Sequence, residues 1–394
     1  MKLKLFYVYY HSYDDMPIHV SDVIEEFARQ GDEVHLFTSV KGSVLETCPW
    51  RNRVKITNLA LIKVSWLNRL GYCLLLLMLL PIYCLLEKPA IIYERASISG
   101  LVTVLVSRFL GIPYVCEING ILIEELSLGQ QARWRMAATR IWESMLYTHS
   151  SLLIAVTSGI KNWVSHAYRI SPGKIEVVTN GTNVHRFRPV EQKTAREHFG
   201  LPPESKLYVG YLGTLTPWCG VELLIECASF VLTHLPRVEF LIGGGQEPYL
   251  SEFKRRAKSK GLHRHFVFVG SVPWEEAALF ISAFDIAVIS ILPLRSGASP
   301  QKLFSYLACK RPVIGSDMGM TGEILKRYDL GLTFTPGSAA SLGEKIVELL
   351  NDTQRRAAMV ERARQIVLDN FSWAVKVKQL KDTFKKHALM DRCR

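Results

Sequence analysis

Two successive trains of alternating strand and helix signals, divided by one polar segment, constrain this chain more than any other feature. The first begins with "KLKLFYVYY" (2–10), a buried-strand pattern. The stretch "PIHVSDVIEEFARQG" (17–31) then puts Val20, Ile24 and Phe27 on one helical face and stops at Gly31. "EVHLFTS", "AIIYERAS", "PYVCEING", "SLLIAVTS" and "KIEVVTNG" follow as short apolar runs that end in polar residues or glycine. Helical stretches separate them, as in a mostly parallel sheet covered by helices on both faces. Residues 183–206 are polar, carry three prolines and read as a linker. A second train then starts: "KLYVGYLGTL", "VEFLIGGG", "HFVFVGSV", "IAVISI" and "RPVIGS" are its strands. Two doubly wound α/β domains follow from this. Such sheets bind ligands outside the carboxyl ends of their strands, so the expected site is a cleft in which two domains face each other.

A chain of 394 residues is long enough for two cores, and 48% hydrophobic with 21% charged residues describes a folded protein. The formal charge of +12 suggests an anionic partner or a basic solvated surface. No basic stripe interleaved with aromatics accompanies it, so nucleic acid is not expected. The eight cysteines form no CxxC pair, and the eleven histidines form no HExxH pattern. Reduced thiols, a cytoplasmic location and no metal are the expectation. The N-terminus lacks the long apolar core of a signal peptide and reads as a first strand. Residues 70–86, "LGYCLLLLMLLPIYCLL", are apolar all round. That is a core helix or a surface in contact with lipid, and it is short of the roughly 20 residues of a span. The Lys/Arg-rich C-terminus could assist docking on anionic lipid.

Three loops carry phosphate-site chemistry. "GYLGTLTPWCG" (210–220) and "IGGGQE" (242–247) place glycines after strands, and "SGASPQKLF" (296–304) opens a helix at Pro300. Glycine lets backbone approach a ligand closely, and the free N–H groups of a helix start attract anions.

These motifs occur in an order that resembles the retaining glycosyltransferases of family 4, over nearly the whole chain. "HVSDVIEEFARQGDEVHLFTS", "YERAS", "PYVCEINGILIEE" and "VVTNGTNVHRFRP" resemble its acceptor-side domain and hinge. "GYLGTLTPWCGVELLIE", "FLIGGG", "FVFVGSVPWEE" and "SPQKLFSYLACKRPVIGS" resemble its donor-side domain, and "NFSWAVKVKQL" its terminal helix. The resemblance implies the GT-B fold: an acceptor-side Rossmann-like domain over 1–185, a nucleotide-sugar-binding one over 186–371, and a helix, 372–394, returning to the first. It also implies that Gly213, Ser299, Lys302 and Leu303 surround the donor diphosphate, that Gly243, Gly244 and Gly245 line the nucleotide, and that Val272 and Pro273 lie near the base.

The chain departs from the family pattern. The usual basic pair corresponds to Thr214 and Cys219, the ribose-binding carboxylate to Ser305, and the acidic position before it to Gly297. Lys310 stands where a glycine is common. Loss of a charged acceptor costs about 1.5–3 kcal/mol, roughly 10- to 100-fold in affinity. Loss of a preorganised donor to developing charge costs about 10²–10³ in rate. Lys302 and Arg295 are the candidate replacement cations. Lys310 lies roughly 15 Å along the helix from its start, at about 1.5 Å per residue, and is a poor one.

On the acceptor side, Pro17 and His19 begin the first long helix, Glu94 and Arg95 end one strand, and Glu117 and Asn119 end the next. All are expected to face the cleft, with Glu117 alternatively pairing Arg95. Asn180 and Gly181 read as a hinge turn. No general base is assigned. The expected activity is metal-independent, retaining transfer of a sugar from a nucleotide diphosphate to a glycan, lipid-linked or small hydroxyl acceptor. The expected context is cell-surface polysaccharide or glycolipid assembly, at the inner face of the cell membrane. The rival reading is a binding or scaffold subunit that keeps the fold without the catalysis. An epimerase or phosphorolytic enzyme of the same fold is a third.

Overall fold

A computed structural model describes residues 2–10, 16–59, 65–128, 132–216, 219–245, 247–292, 299 and 301–390. The chain divides into two compact units, Met1–Asn180 with Trp373–Arg394, and Gly181–Ser372.

The first unit is built on seven parallel strands: β1 (Lys4–Tyr9), β2 (Glu33–Thr38), β3 (Lys55–Asn58), β4 (Ile91–Arg95), β5 (Tyr114–Ile118), β6 (Leu152–Ala155) and β7 (Ile175–Val177). Their order is β3-β2-β1-β4-β5-β6-β7. The strands other than the edge strands β3 and β7 are buried on both faces, which is why they read as continuous apolar runs. The connecting helices are α1 (Ile18–Arg29), α2 (Gly42–Glu46), α3 (Ser65–Glu87), α4 (Gly100–Leu110), α5 (Leu122–Leu128), α6 (Arg133–His149) and α7 (Ser158–Tyr168). One core layer packs Val20, Val23, Ile24 and Phe27 of α1 against the sheet. The other packs Tyr72, Leu76, Leu80 and Cys84 of α3, with α4, α6 and α7, on the opposite face.

The second unit is a six-stranded parallel sheet: β8 (Leu207–Leu212), β9 (Val238–Gly243), β10 (Phe266–Gly270), β11 (Ile286–Ile289), β12 (Val313–Ser316) and β13 (Gly331–Phe334), ordered β10-β9-β8-β11-β12-β13. Its helices are α8 (Gln192–His198), α9 (Glu222–His234), α10 (Tyr249–Ser259), α11 (Ala277–Ser282), α12 (Gln301–Ala308), α13 (Gly319–Tyr328), α14 (Ala339–Asn351) and α15 (Thr353–Asn370). Arg364 of α15 donates to the carbonyls of Phe187, Val184 and Ala308, which fixes the segment after Gly181 against this unit. The segment expected to be a linker therefore contains α8 and is part of the second core, where Phe187, Ala195 and Leu201 are buried.

The last helix, α16 (Trp373–Lys386), belongs to the first unit. Trp373, Val377, Leu380 and Phe384 enter the α1 side of its core, and Lys381 Nζ lies 2.8 Å from the buried Asp32 carboxylate.

The α3 helix has two faces. One packs in the core. The other leaves Leu70, Leu74, Leu77, Met78, Ile82, Leu85 and Leu86 exposed. Leu67–Glu87 is long and apolar enough to cross a membrane, with mean hydropathy 2.1, and 22% of that window is buried. The core reading of residues 70–86 thus describes one side of this helix, and the other side is exposed.

Candidate functional site

Each sheet has a switch point where neighbouring strands lead away in opposite directions, between β8 and β11 in the second unit and between β1 and β4 in the first. Ligand sites of doubly wound sheets form there. Gly213 to Thr216, directly after β8, lie at one of these points, and Gly244 and Gly245, directly after β9, lie beside it.

In the second unit, the end of β8 is clamped by Tyr306 of α12. Its Oη accepts from the Leu212 N–H at 2.8 Å and donates to the Leu212 carbonyl at 3.0 Å. Gly213 follows with φ of +151°, and its N–H donates to the Gly243 carbonyl. Gly244, at φ +95°, donates to the Gly270 carbonyl, and a methyl there would collide with the Gly213 carbonyl oxygen. The close approach of these two loops requires glycine at both positions. Gly243 and Gly245 are explained by packing: a methyl on one would strike the Phe280 ring, and on the other the Leu215 side chain.

Lys302, in the first turn of α12, reaches to this strand end. Its Nζ donates to Tyr211 Oη at 2.6 Å and lies 4.4 Å from the ring centroid. A methyl on Gly213 would meet Lys302 Cε and Nζ. The ammonium therefore rests directly over the Gly213 backbone. Tyr211 Oη passes its own proton to the Thr214 carbonyl at 2.7 Å. Thr214 and Cys219 lie in the same cluster, with Cys219 Sγ 3.5 Å from Thr214 Oγ1 and 3.2 Å from Thr216 Oγ1. Burial pushes the Cys219 thiol up. The Lys302 charge and the hydroxyls of Thr216, Thr214 and Tyr211 outweigh burial and hold it below the ordinary thiol value. Burial pushes Tyr211 well up, so it stays a neutral phenol.

The first-turn amides of α12 have no intrahelical acceptor and carry the positive end of the helix dipole. Leu303, expected at the diphosphate, is completely buried in the core of the second unit. Ser305 turns to Thr182 Oγ1 at 3.3 Å and to the Gln301 carbonyl at 3.4 Å. Val272 and Pro273 form the loop after β10, with Pro273 exposed and Val272 partly packed into the core. Ser299 lies two residues before α12 in the chain. Arg295, Gly297 and Pro300 lie outside the described residues.

In the first unit, Pro17 caps α1 through its carbonyl, which accepts from Val20 and Ser21. His19 is buried, with Nε2 3.9 Å from Glu117 Oε1. Glu117 does not pair with Arg95. It accepts from Tyr93 Oη and Asn119 Nδ2. Asn119 Oδ1 in turn accepts from Asn180 Nδ2 at 3.1 Å. Glu94 does not face solvent either. Residues alternate faces along a strand, so when Arg95 points to the open side, Glu94 points into the core. There it is fully buried and accepts from Ser99 Oγ (2.6 Å), Ser97 Oγ (2.8 Å) and Tyr114 Oη (3.3 Å). Burial pushes its carboxyl up to about 7, against the lowering effect of those hydroxyls.

Residues 16–186 match Glycosyltransferase Family 4, and residues 192–366 match Glycosyl transferases group 1. The chain carries these two glycosyltransferase domains in tandem. The family 4 match falls in the first unit except for residues 181–186, and the group 1 match falls in the second. A D-inositol 3-phosphate glycosyltransferase of Rhodococcus erythropolis is 24% identical over 307 residues, 76% of this chain and 68% of that protein. Across eight of the curated relatives, the matches span 59 to 68% of the relative's own length. The Anabaena HepE structure with UDP and glucose superposes with a TM-score of 0.76 at 16% identity, covering 98% of this chain and 100% of that one. WaaG, a glycosyltransferase involved in lipopolysaccharide biosynthesis, superposes with a TM-score of 0.70 at 13% identity, covering 96% and 99%. The architecture is the two-domain GT-B fold of these neighbours.

Within the group 1 domain, Gly213, Thr214, Gly244 and Lys302 gather at the β8 end, and Cys219 joins them. Tyr211, Tyr306 and Thr216 complete the cluster and were not singled out in the sequence, nor was Thr182, which lies outside that domain and meets Ser305. Both tyrosine rings are buried. In the family 4 domain, His19, Glu117 and Asn119 form one chain of contacts, Arg95 stands apart, and Glu94 is a core residue.

Proposed function

We propose that the protein is a retaining glycosyltransferase that moves a hexose from a nucleotide diphosphate to a glycan or lipid-linked acceptor. The observation that carries this reading is Lys302. Its ammonium lies over Gly213 and beside Thr214 and Cys219, at the position where the family's basic pair is missing. One cation from the helix start thus supplies charge at the strand end, together with the free amides of α12. In the proposed mechanism the diphosphate leaves toward Lys302 and these amides, and the acceptor hydroxyl attacks from the same face of the sugar. Ser305 offers the ribose a neutral contact, at a cost of about 10- to 100-fold in affinity relative to a carboxylate. Transfer proceeds without a metal, so EDTA leaves it unchanged.

HepE binds UDP and UDP-glucose, and the rhodococcal relative acts on an inositol phosphate by name. These support a nucleotide-sugar donor and a sugar-like acceptor. The setting is cell-surface polysaccharide or glycolipid assembly on the inner face of the cell membrane. The exposed apolar side of α3 and the charge of +12 support peripheral contact with anionic lipid. The test is nucleotide release from a panel of UDP-, GDP-, ADP- and TDP-sugars by the wild type and by Lys302→Ala.

A further inference from the structure

The first unit holds a cavity of about 270 Å³ at the switch point between β1 and β4. Tyr10, Arg95, Ser97, Asn119, Trp142 and Glu143 are among its walls. We infer that this cavity seats a sugar or head group bearing an oxyanion, as the acceptor's recognition element. The inference rests on the glycosyltransferase reading for the word acceptor, and on the cavity itself for the chemistry.

Arg95 carries the first part of the argument. It is half-buried and makes no hydrogen bond or ion pair among the described residues. A cation withdrawn from water in this way calls for an anion. The neighbouring carboxylates are committed elsewhere. Glu143 accepts from the hydroxyls of Tyr147 and Tyr168. Glu117 accepts from Tyr93 and Asn119, and Glu94 from its cage of hydroxyls. The guanidinium presents a planar fork that matches phosphate or carboxylate.

Trp142 carries the second part. Its indole Nε1 is buried and lacks a hydrogen-bond partner among the described residues. A buried donor without an acceptor is costly, and an oxygen-rich ligand would supply one. The indole and the Tyr10 ring add flat apolar surface of the kind that packs against a sugar. Arg69, at the start of α3, lies over the Tyr10 ring at 5.7 Å and adds a second positive charge beside the cavity. The volume is just under the ~300 Å³ lower bound for typical small-molecule pockets, which suits one head group rather than a chain.

The experiment is calorimetric titration of the full-length protein, without donor, using glucose 6-phosphate, glucuronate and glucose. The two anionic sugars are expected to bind at least about tenfold tighter than glucose, since one charged hydrogen-bonded pair is worth about 1.5–3 kcal/mol. Arg95→Met should remove that preference, Arg95→Lys should keep part of it, and Trp142→Phe should weaken binding several-fold. Lys302→Ala should leave this binding in place. Melting curves of the Arg95 variants, whose side chain has no internal partner to lose, report folding separately. Equal binding of glucose and its phosphate, no binding, or loss with Lys302→Ala but not with Arg95→Met would overturn the inference. A further arm uses short-chain phosphatidic acid below its micelle concentration. Tighter binding than glucose 6-phosphate assigns a lipid-borne oxyanion, and weaker binding a soluble one. Oxyanion binding without sugar transfer would remove the transferase reading and leave the site. Transfer to uncharged acceptors, untouched by Arg95→Met, would remove the site and leave the reading.

Discussion

At the residue scale, the end of β8 is governed by one lysine, one thiol and one phenol. Cys219 is held below the ordinary thiol value by Lys302 and three hydroxyls. Its thiolate, once formed, neutralises the cation that the donor diphosphate needs. Nucleotide diphosphate affinity is therefore expected to fall as pH rises through this lowered pKa. Cys219→Ser should abolish that fall, as read by calorimetry between pH 6.5 and 9. An identical pH profile in both proteins would contradict the assignment. Glu94 gives an independent test on stability. Its folded value of about 7 lies above the unfolded carboxyl value, so the folded state binds the extra proton. The stabilisation is present in full below about pH 4.5 and is lost as pH rises through about 7. The rise from 4.5 to about 7 corresponds to about 3 kcal/mol. Glu94→Gln should flatten this part of the melting-temperature profile, and an unchanged slope would sink the claim. These two residues also show where sequence reading stopped. Ser305 and Cys219 were visible as departures. That Lys302 folds back over Gly213 depends on α12 packing against β8, which one-dimensional spacing does not encode. Glu94 was misread because a carboxylate at a strand end looks functional, and only strand alternation sends it inward.

At the element scale, α3 and its neighbour α4 raise the membrane question. Met78 and Leu86 of α3 are 66% and 74% exposed, and Phe109 of α4 is 87% exposed. Exposed cations occur on the same and adjoining elements: Arg69 on α3, Lys88 just after it, Arg108 on α4, and Arg133, Arg135 and Arg140 on α6. An apolar face accompanied by cations suits an anionic bilayer better than a second copy, which would carry the same charge. Leu74→Glu with Met78→Glu should leave the melting temperature nearly unchanged, because both sites are at the surface. The same double variant should cut co-sedimentation with phosphatidylglycerol vesicles at least tenfold, as burial of one such side chain is worth about 1.5–3 kcal/mol. Full retention of vesicle binding would contradict the lipid contact. The sequence marked this helix as apolar all round. It did not separate the core side from the open side, because leucine occupies both and leaves no period to read.

At the scale of the whole molecule, the two trains of strand signals translate into two parallel sheets with the switch points that put ligand loops at strand ends. That much was legible because parallel strands buried on both faces announce themselves as uninterrupted apolar runs. The polar segment after Gly181 was less so. It reads as linker, yet Phe187, Ala195 and Leu201 anchor it in the second core. The allocation of α16 to the first unit rests on contacts distant in sequence, such as Lys381 with Asp32. The central claim is that this scaffold still transfers sugar, with Lys302 supplying the charge. The most direct measurement is nucleotide release from the panel of nucleotide-sugars, with and without glycan and lipid-phosphate acceptors, in the wild type and in Lys302→Ala. The expected result is release from one nucleotide class, stimulated by acceptor, and reduced about 10²–10³-fold by Lys302→Ala. Nucleotide binding with no turnover by the wild type, or turnover indifferent to Lys302→Ala, would contradict it.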